Sequence, residues 1–162
     1  YWYPMVKKSD ERKKQQREVL AAQLDLAKEF QLPVIIHSRG AWRDCFDMVR
    51  SAGITRAVFH WYSGPLDVLK DILAEGFLIS ATPALFYSPQ LQEAVKFAPM
   101  EQTMIETDTP VVYRLSEEKS FKAGPKDVFF TLDVYAKLKN LDKEKAASVL
   151  NANAKKFFNL PL

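Results

Sequence analysis

The sequence predicts an α/β fold of the TIM type, a (β/α) barrel of which this chain carries the carboxyl-terminal portion, and three observations lead there. Short apolar segments alternate with amphipathic helical ones, the pattern of parallel strands joined by right-handed crossovers. Three of those apolar segments end in residues of metal-ligating type, His37, His60 and Asp108. The carboxyl ends of several strands are where such a barrel gathers its chemistry, which favours it over a doubly wound sheet built from the same units. Third, the 162 residues hold four clear strands, whereas a full barrel has eight and needs roughly 250 residues. The chain therefore reads as a single domain over 1–162, with the amino-terminal strands missing.

Taken in order, Ser9 is a plausible N-cap followed by Asp10 and Glu11, and Val19, Leu20, Gln23, Leu24, Ala27 and Phe30 share one helical face expected to be buried. Pro33-Val34-Ile35-Ile36-His37 is a β-branched apolar run without alternation, as in strands covered on both faces. A helix from about Ala41 to Ser51 stops at Gly53, and Arg56-Ala57-Val58-Phe59-His60 repeats the strand ending in histidine. Gly64-Pro65 opens a helix closed by Gly76, and Phe77-Leu78-Ile79-Ser80 is the third strand. Ser88-Pro89 caps a helix to about Phe97, and Gln102 to Asp108 forms a fourth strand with acids at its end. The stretch from about Val111 to Gly124, with Arg114, Lys119 and Lys122, is long for a βα connection and is a candidate substrate lid. Two helices close the chain, about Lys126 to Asn140 and Lys143 to Phe158, the second capped by Asp142.

Composition sets the outer bounds. A chain 48% hydrophobic and 27% charged can bury a real core. No run of about 18 uncharged apolar residues is present, and Tyr1 to Lys14 lacks the pattern of a signal peptide, so no membrane partner and a cytoplasmic setting are expected. The single cysteine, Cys45, excludes an internal disulfide and any cysteine-based metal motif. A net charge of +3 is mildly favourable to a polyanion and decides nothing further. The basic run Lys7, Lys8, Arg12, Lys13, Lys14 and Arg17 is broken by Asp10, Glu11 and Glu18, which suits a solvated helix face.

Imidazole nitrogen with carboxylate oxygen suits Zn²⁺, Mn²⁺ or, where carboxylates dominate, Mg²⁺. The other reading of His37 and His60, that of satisfied structural histidines, stays open on the residues alone. Arg39 can meet a phosphate through its planar fork or form a salt bridge at the rim. Ser63 and Gly64 open a helix where N–H groups attract an anion, or serve as an ordinary cap. Trp61 and Tyr62 can stack on nucleobases or pack the rim. Glu106 lies two residues before Asp108, on the same side of the strand, and is expected to point into the barrel beneath the site in a supporting role.

Three ordered segments, Leu32-Pro33-Val34-Ile35-Ile36-His37-Ser38-Arg39, Phe59-His60-Trp61-Tyr62-Ser63-Gly64 and Ile105-Glu106-Thr107-Asp108-Thr109-Pro110, together resemble signatures of the TatD family of deoxyribonucleases. The likeness runs from about Ser9 to the closing Asn151-Ala152-Asn153-Ala154-Lys155-Lys156-Phe157-Phe158. It implies a TIM-type barrel of metal-dependent hydrolases that holds divalent metal ions (Zn, Mg or Mn), two in the complete protein, and hydrolyses the phosphodiester bonds of DNA. On that likeness His37, His60 and Asp108 become metal ligands, and Asp108 also orients or deprotonates the attacking water. Arg39, Trp61, Tyr62 and Ser63 become candidate substrate contacts.

The chain also departs from the family pattern. It lacks the His-x-His pair of the first strand and the Glu that precedes a Gly-Leu-Asp, while Tyr1-Trp2-Tyr3 resembles what directly follows that triplet. Trp61-Tyr62 stands where Cys-Phe is usual, and Phe121-Lys122-Ala123-Gly124-Pro125 where an Arg-Asn-Glu-Pro element is usual. An open half-barrel is expected to be completed by its amino-terminal segment or to self-associate. The competing functions are a hydrolase of a small non-nucleic substrate with the same ligands, and a non-catalytic nucleic-acid- or protein-binding scaffold descended from the enzyme.

Overall fold

The structure is a computed structural model and describes residues 9–161; Tyr1-Trp2-Tyr3, Lys7 and Lys8 lie outside the described residues. Helix α1 (Asp10–Glu29) opens where the Ser9 hydroxyl oxygen accepts the N–H of Arg12 at 3.2 Å. Then come β1 (Val34–Ile36), α2 (Trp42–Ser51), β2 (Ala57–Phe59), α3 (Leu66–Ala74) and β3 (Leu78–Ala81). A 3₁₀ turn (Pro83–Phe86) leads to α4 (Pro89–Phe97), whose N-cap is Ser88 as expected, and to β4 (Thr103–Ile105). After β4 the chain forms a two-stranded hairpin, β5 (Val112–Arg114) with β6 (Ser120–Lys122), and ends in α5 (Val128–Lys139) and α6 (Lys143–Phe158), the latter capped by Asp142.

The four main strands are parallel and lie in chain order, β1-β2-β3-β4. A doubly wound sheet reverses its order at a switch point; an unreversed order is that of a barrel wall. The same register that pairs Ile36 with Phe59 and Ala81 with Ile105 brings the strands' carboxyl ends to one rim.

Alternation along each strand gives the wall two apolar faces. Phe59, Ile79, Leu69, Ile72, Val49 and Phe46 are fully buried in the main core beneath the helices. Val58 and Met104 form a separate cluster, closed by Phe157 of α6. Three side chains fasten this end of the molecule to backbone carbonyls. Asn153 donates to Met100 and Thr103 at 2.7 and 2.8 Å, Arg56 to Phe157 and Gln31 at 2.9 and 2.8 Å, and Gln102 to Leu73 and Phe77, both at 2.9 Å.

The α1 face differs from expectation. Leu24 and Ala27 are buried and Leu20 partly so, but Gln23 is exposed, and Val19 and Phe30 are 58% and 63% exposed. The apolar stripe is wider than the one neighbour it meets, because β1 is a sheet edge among the described residues; Ile35 on that edge is 59% exposed. At the opposite edge, Met104 and Ile105 line an apolar groove with Phe129, Leu132 and Leu150. No helix among the described residues is long and apolar enough to cross a membrane.

Candidate metal centre

The rim at the strands' carboxyl ends assembles polar groups from three strands. His60 follows β2, and its N–H extends the ladder to Ile36 O at 3.0 Å; the N–H of Glu106, next after β4, donates to Ala81 O at 2.9 Å. Trp61, one residue beyond His60, and Asp108, two beyond Glu106, both adopt left-handed backbone, with φ of 45° and 47°. Aspartate tolerates that region and tryptophan does not, so the strain at Trp61 is held by its surroundings: its N–H donates to Ser80 Oγ at 3.1 Å, and that of Tyr62 to Ser80 O at 3.2 Å. Strained backbone of this kind collects at functional sites.

His60 lies between two carboxylates. Its Nδ1 is 2.7 Å from Glu106 Oε1, and its Nε2 is 3.5 Å from Asp108 Oδ1. The first is a direct hydrogen bond. The second is longer, and two donors each about 2.1 Å from one tetrahedral ion stand about 3.4 Å apart. In the neutral ring the shorter contact favours the proton on Nδ1, which leaves Nε2 facing Asp108. Burial alone favours the neutral imidazole, but the bond to Glu106 and the charges of Glu106 and Asp108 outweigh it and raise the His60 pKa. One donor atom from each of His60, Glu106 and Asp108 lies within 4.8 Å of the others. All three are partly exposed; with Glu106 Oε1 taken up by His60 Nδ1, the imidazole Nε2 and the Asp108 carboxylate are the donors left that fit a divalent cation.

His37 stands beside this cluster and outside it, its ring centroid 5.5 Å from that of His60. Burial, then the charges of His60 and Arg39, lower its pKa and keep a nitrogen lone pair available. His37, Ser38, Arg39, Trp42, His60, Trp61 and Ser63 line one cleft. Gly64 permits its shape: a Cβ there would lie 2.6 Å from Cγ of Trp42, so the indole can lie against the backbone only because the residue is glycine.

Three expectations change. Tyr62 is fully buried and its hydroxyl donates to Pro65 O at 2.7 Å, so it packs beneath the rim and offers no face to a base. Neither Ser63 nor Gly64 caps α3, whose N-cap position is Pro65; Ser63 is a cleft residue. The expected lid is the pinned β5–β6 hairpin: buried Tyr113 donates to Thr107 O at 3.0 Å, Thr109 Oγ1 to Ala123 O at 2.6 Å, and the Tyr113 ring lies 5.7 Å from those of Trp61 and Phe121. Reading the alternation of Val112-Tyr113-Arg114 and Ser120-Phe121-Lys122 as strand would have revealed it. Ser80, which no motif singles out, bonds to both Trp61 and Glu106 at this rim; its signal in the sequence is a polar residue at the end of an apolar strand.

Comparison with known proteins agrees with this geometry. The family model described as TatD related DNase matches residues 3–159. The chain belongs to that family. An uncharacterized metal-dependent hydrolase of Methanocaldococcus jannaschii is 34% identical over 92% of this chain and 58% of its own length, and the human deoxyribonuclease TATDN3 is 32% identical over 91% of the chain and 53% of its own. This TatD-family chain therefore spans little more than half the length of those relatives. In fold, it superposes on a TatD homologue from Escherichia coli with a TM-score of 0.86 at 24% identity, covering 96% of this chain and 61% of that one.

Proposed function

We propose that this chain carries part of the centre of a metal-dependent deoxyribonuclease, cleaving phosphodiester bonds of DNA with water. The observation that carries this is His60 held between Glu106 and Asp108 at the rim, with Nε2 turned to Asp108. Asp108 and His60 Nε2 would hold the cation, with His37 a further ligand from the adjacent strand end. A divalent cation there supplies Lewis acidity, lowering the pKa of water and offsetting charge on a phosphate. Zn, Mg and Mn all suit the donors, and two ions would be held in the complete protein, with further ligands from the other part of the barrel. Asp108 would accept the proton of the attacking water, Arg39 would meet a phosphate oxygen, and Trp61 would stack on a base. The exposed Ile35 edge and the Met104–Ile105 groove support an amino-terminal half that completes the wall, with self-association as the alternative cover.

The test is cleavage of labelled single-stranded DNA with Mn²⁺ or Mg²⁺, run on this chain and on a chimera in which a relative's amino-terminal part supplies the other strands. Cleavage in the chimera that chelator and His60→Ala both abolish is the expected result. No metal uptake and no cleavage in either protein would sink the reading and favour a binding scaffold.

A further inference from the structure

β3 contributes no metal ligand, yet its last residues lie at the centre of the rim. Ser80, 5% exposed, makes four connections there. Its Oγ accepts the N–H of Trp61 at 3.1 Å, and its own hydroxyl proton goes to Glu106 Oε1. Its carbonyl accepts the N–H of Tyr62 at 3.2 Å, and the strand pairing of Ser80 with Met104 sets the height of Glu106 against it. Glu106 Oε1 is the atom that receives the Nδ1–H of His60 at 2.7 Å. The Trp61 N–H thus donates to Ser80, and the Ser80 O–H and the His60 Nδ1–H converge on one carboxylate oxygen, Glu106 Oε1.

We infer that Ser80 is a positioning residue of the metal centre, acting through Glu106 to hold His60 as its Nδ1–H tautomer with Nε2 facing Asp108. A hydroxyl is the side chain this place requires, because it must accept from a strained backbone N–H and donate to a carboxylate at once, which neither alanine nor a carboxylate can do. The carboxylate can only accept, and the Ser80 hydroxyl donating to Oε1 fixes its rotation, so it accepts the imidazole N–H from a defined direction. A histidine whose far nitrogen is held this way presents the other nitrogen to an ion in one tautomer and one orientation. The same hydroxyl fixes the exit of β2, so one residue sets both the ring's proton and the backbone that carries the ring. Two further tethers, the Glu106 N–H donating to Ala81 O at 2.9 Å and Thr131 Oγ1 donating to the Glu106 carbonyl at 3.2 Å, hold the main chain and leave the carboxylate to Ser80 and His60.

The inference rests on the metal reading above, and its test is built to separate the two. In metal-free protein with ¹⁵N-labelled histidine, above the pH at which His60 titrates, the wild-type chain shows His60 as the Nδ1–H tautomer, and Ser80→Ala shifts a measurable fraction to Nε2–H. In calorimetric titration with Zn²⁺, Ser80→Ala weakens binding by about tenfold, and by no further amount when Glu106→Gln is already present. An unchanged tautomer in Ser80→Ala overturns the inference, as does a second tenfold loss in the Glu106→Gln background. A wild-type chain that takes up no Zn²⁺ counts against the nuclease reading and leaves the tautomer to decide the role of Ser80.

Discussion

The two ends of the parallel sheet use polar side chains in opposite ways. At the amino-terminal end Asn153, Arg56 and Gln102 each donate to two backbone carbonyls, and Phe157 closes the apolar cluster above them. These donors are spent on the chain itself. At the carboxyl-terminal end polar groups bond to each other in a relay whose last members, His60 Nε2 and Asp108, stop 3.5 Å apart. Left-handed backbone occurs at both ends, at Gln31 beside Arg56 as well as at Trp61 and Asp108, but only at the rim does it fall on a residue as bulky as tryptophan. An end built for stability satisfies its polar groups internally, and an end built for chemistry leaves ligating capacity open at some conformational cost.

The comparison breaks most visibly at Asp108. Asp108→Asn keeps the shape but replaces an anionic oxygen with an amide, and is expected to lower metal-dependent cleavage in the completed barrel about 10³-fold, roughly 4 kcal/mol. The thermal midpoint should move little, because Asp108 is partly exposed. A large loss of stability with modest loss of rate would place a structural duty at the wrong end. The converse test is Phe157→Ala, which empties a position 3% exposed and should cost about 3 kcal/mol in denaturant unfolding. Zn²⁺ affinity per folded molecule should stay within about twofold; a larger change would show the two ends to be coupled.

This division also decides what was legible in the sequence. His37, His60 and Asp108 stood out because strand ends are read from local pattern, and Ser9, Ser88 and Asp142 because caps act within one turn. The role of Glu106 was half visible: its spacing put it on the side of Asp108, but that it grips Nδ1 of His60 depends on a β2–β4 approach across 46 residues. Ser80 had no local signal beyond its polarity. Tyr62 looks equivalent to Trp61 in the sequence because both are large aromatics with a polar atom, whereas a left-handed turn at Trp61 leaves its ring in the cleft and that of Tyr62 in the core. The wide apolar face of α1 is legible as apolar but not as exposed, because burial depends on what packs against it and β1 is a sheet edge among the described residues.

The smallest predicted effect sharpens that Trp61–Tyr62 pair. Tyr62→Phe deletes a hydroxyl whose one bond, to Pro65 O, helps hold the chain entering α3. It should cost about 1 kcal/mol of stability and leave the KM for single-stranded DNA unchanged. Trp61→Ala removes a ring that lines the cleft beside His60 and Arg39 and should raise that KM about tenfold, the loss of about 1–3 kcal/mol expected for one stacked base. Kinetics of both variants on the same oligonucleotide, with unfolding curves alongside, check the assignment. A rise in KM for Tyr62→Phe alone would mean that the cleft opens onto the core side of the turn, and a flat KM for both would remove base stacking from the rim.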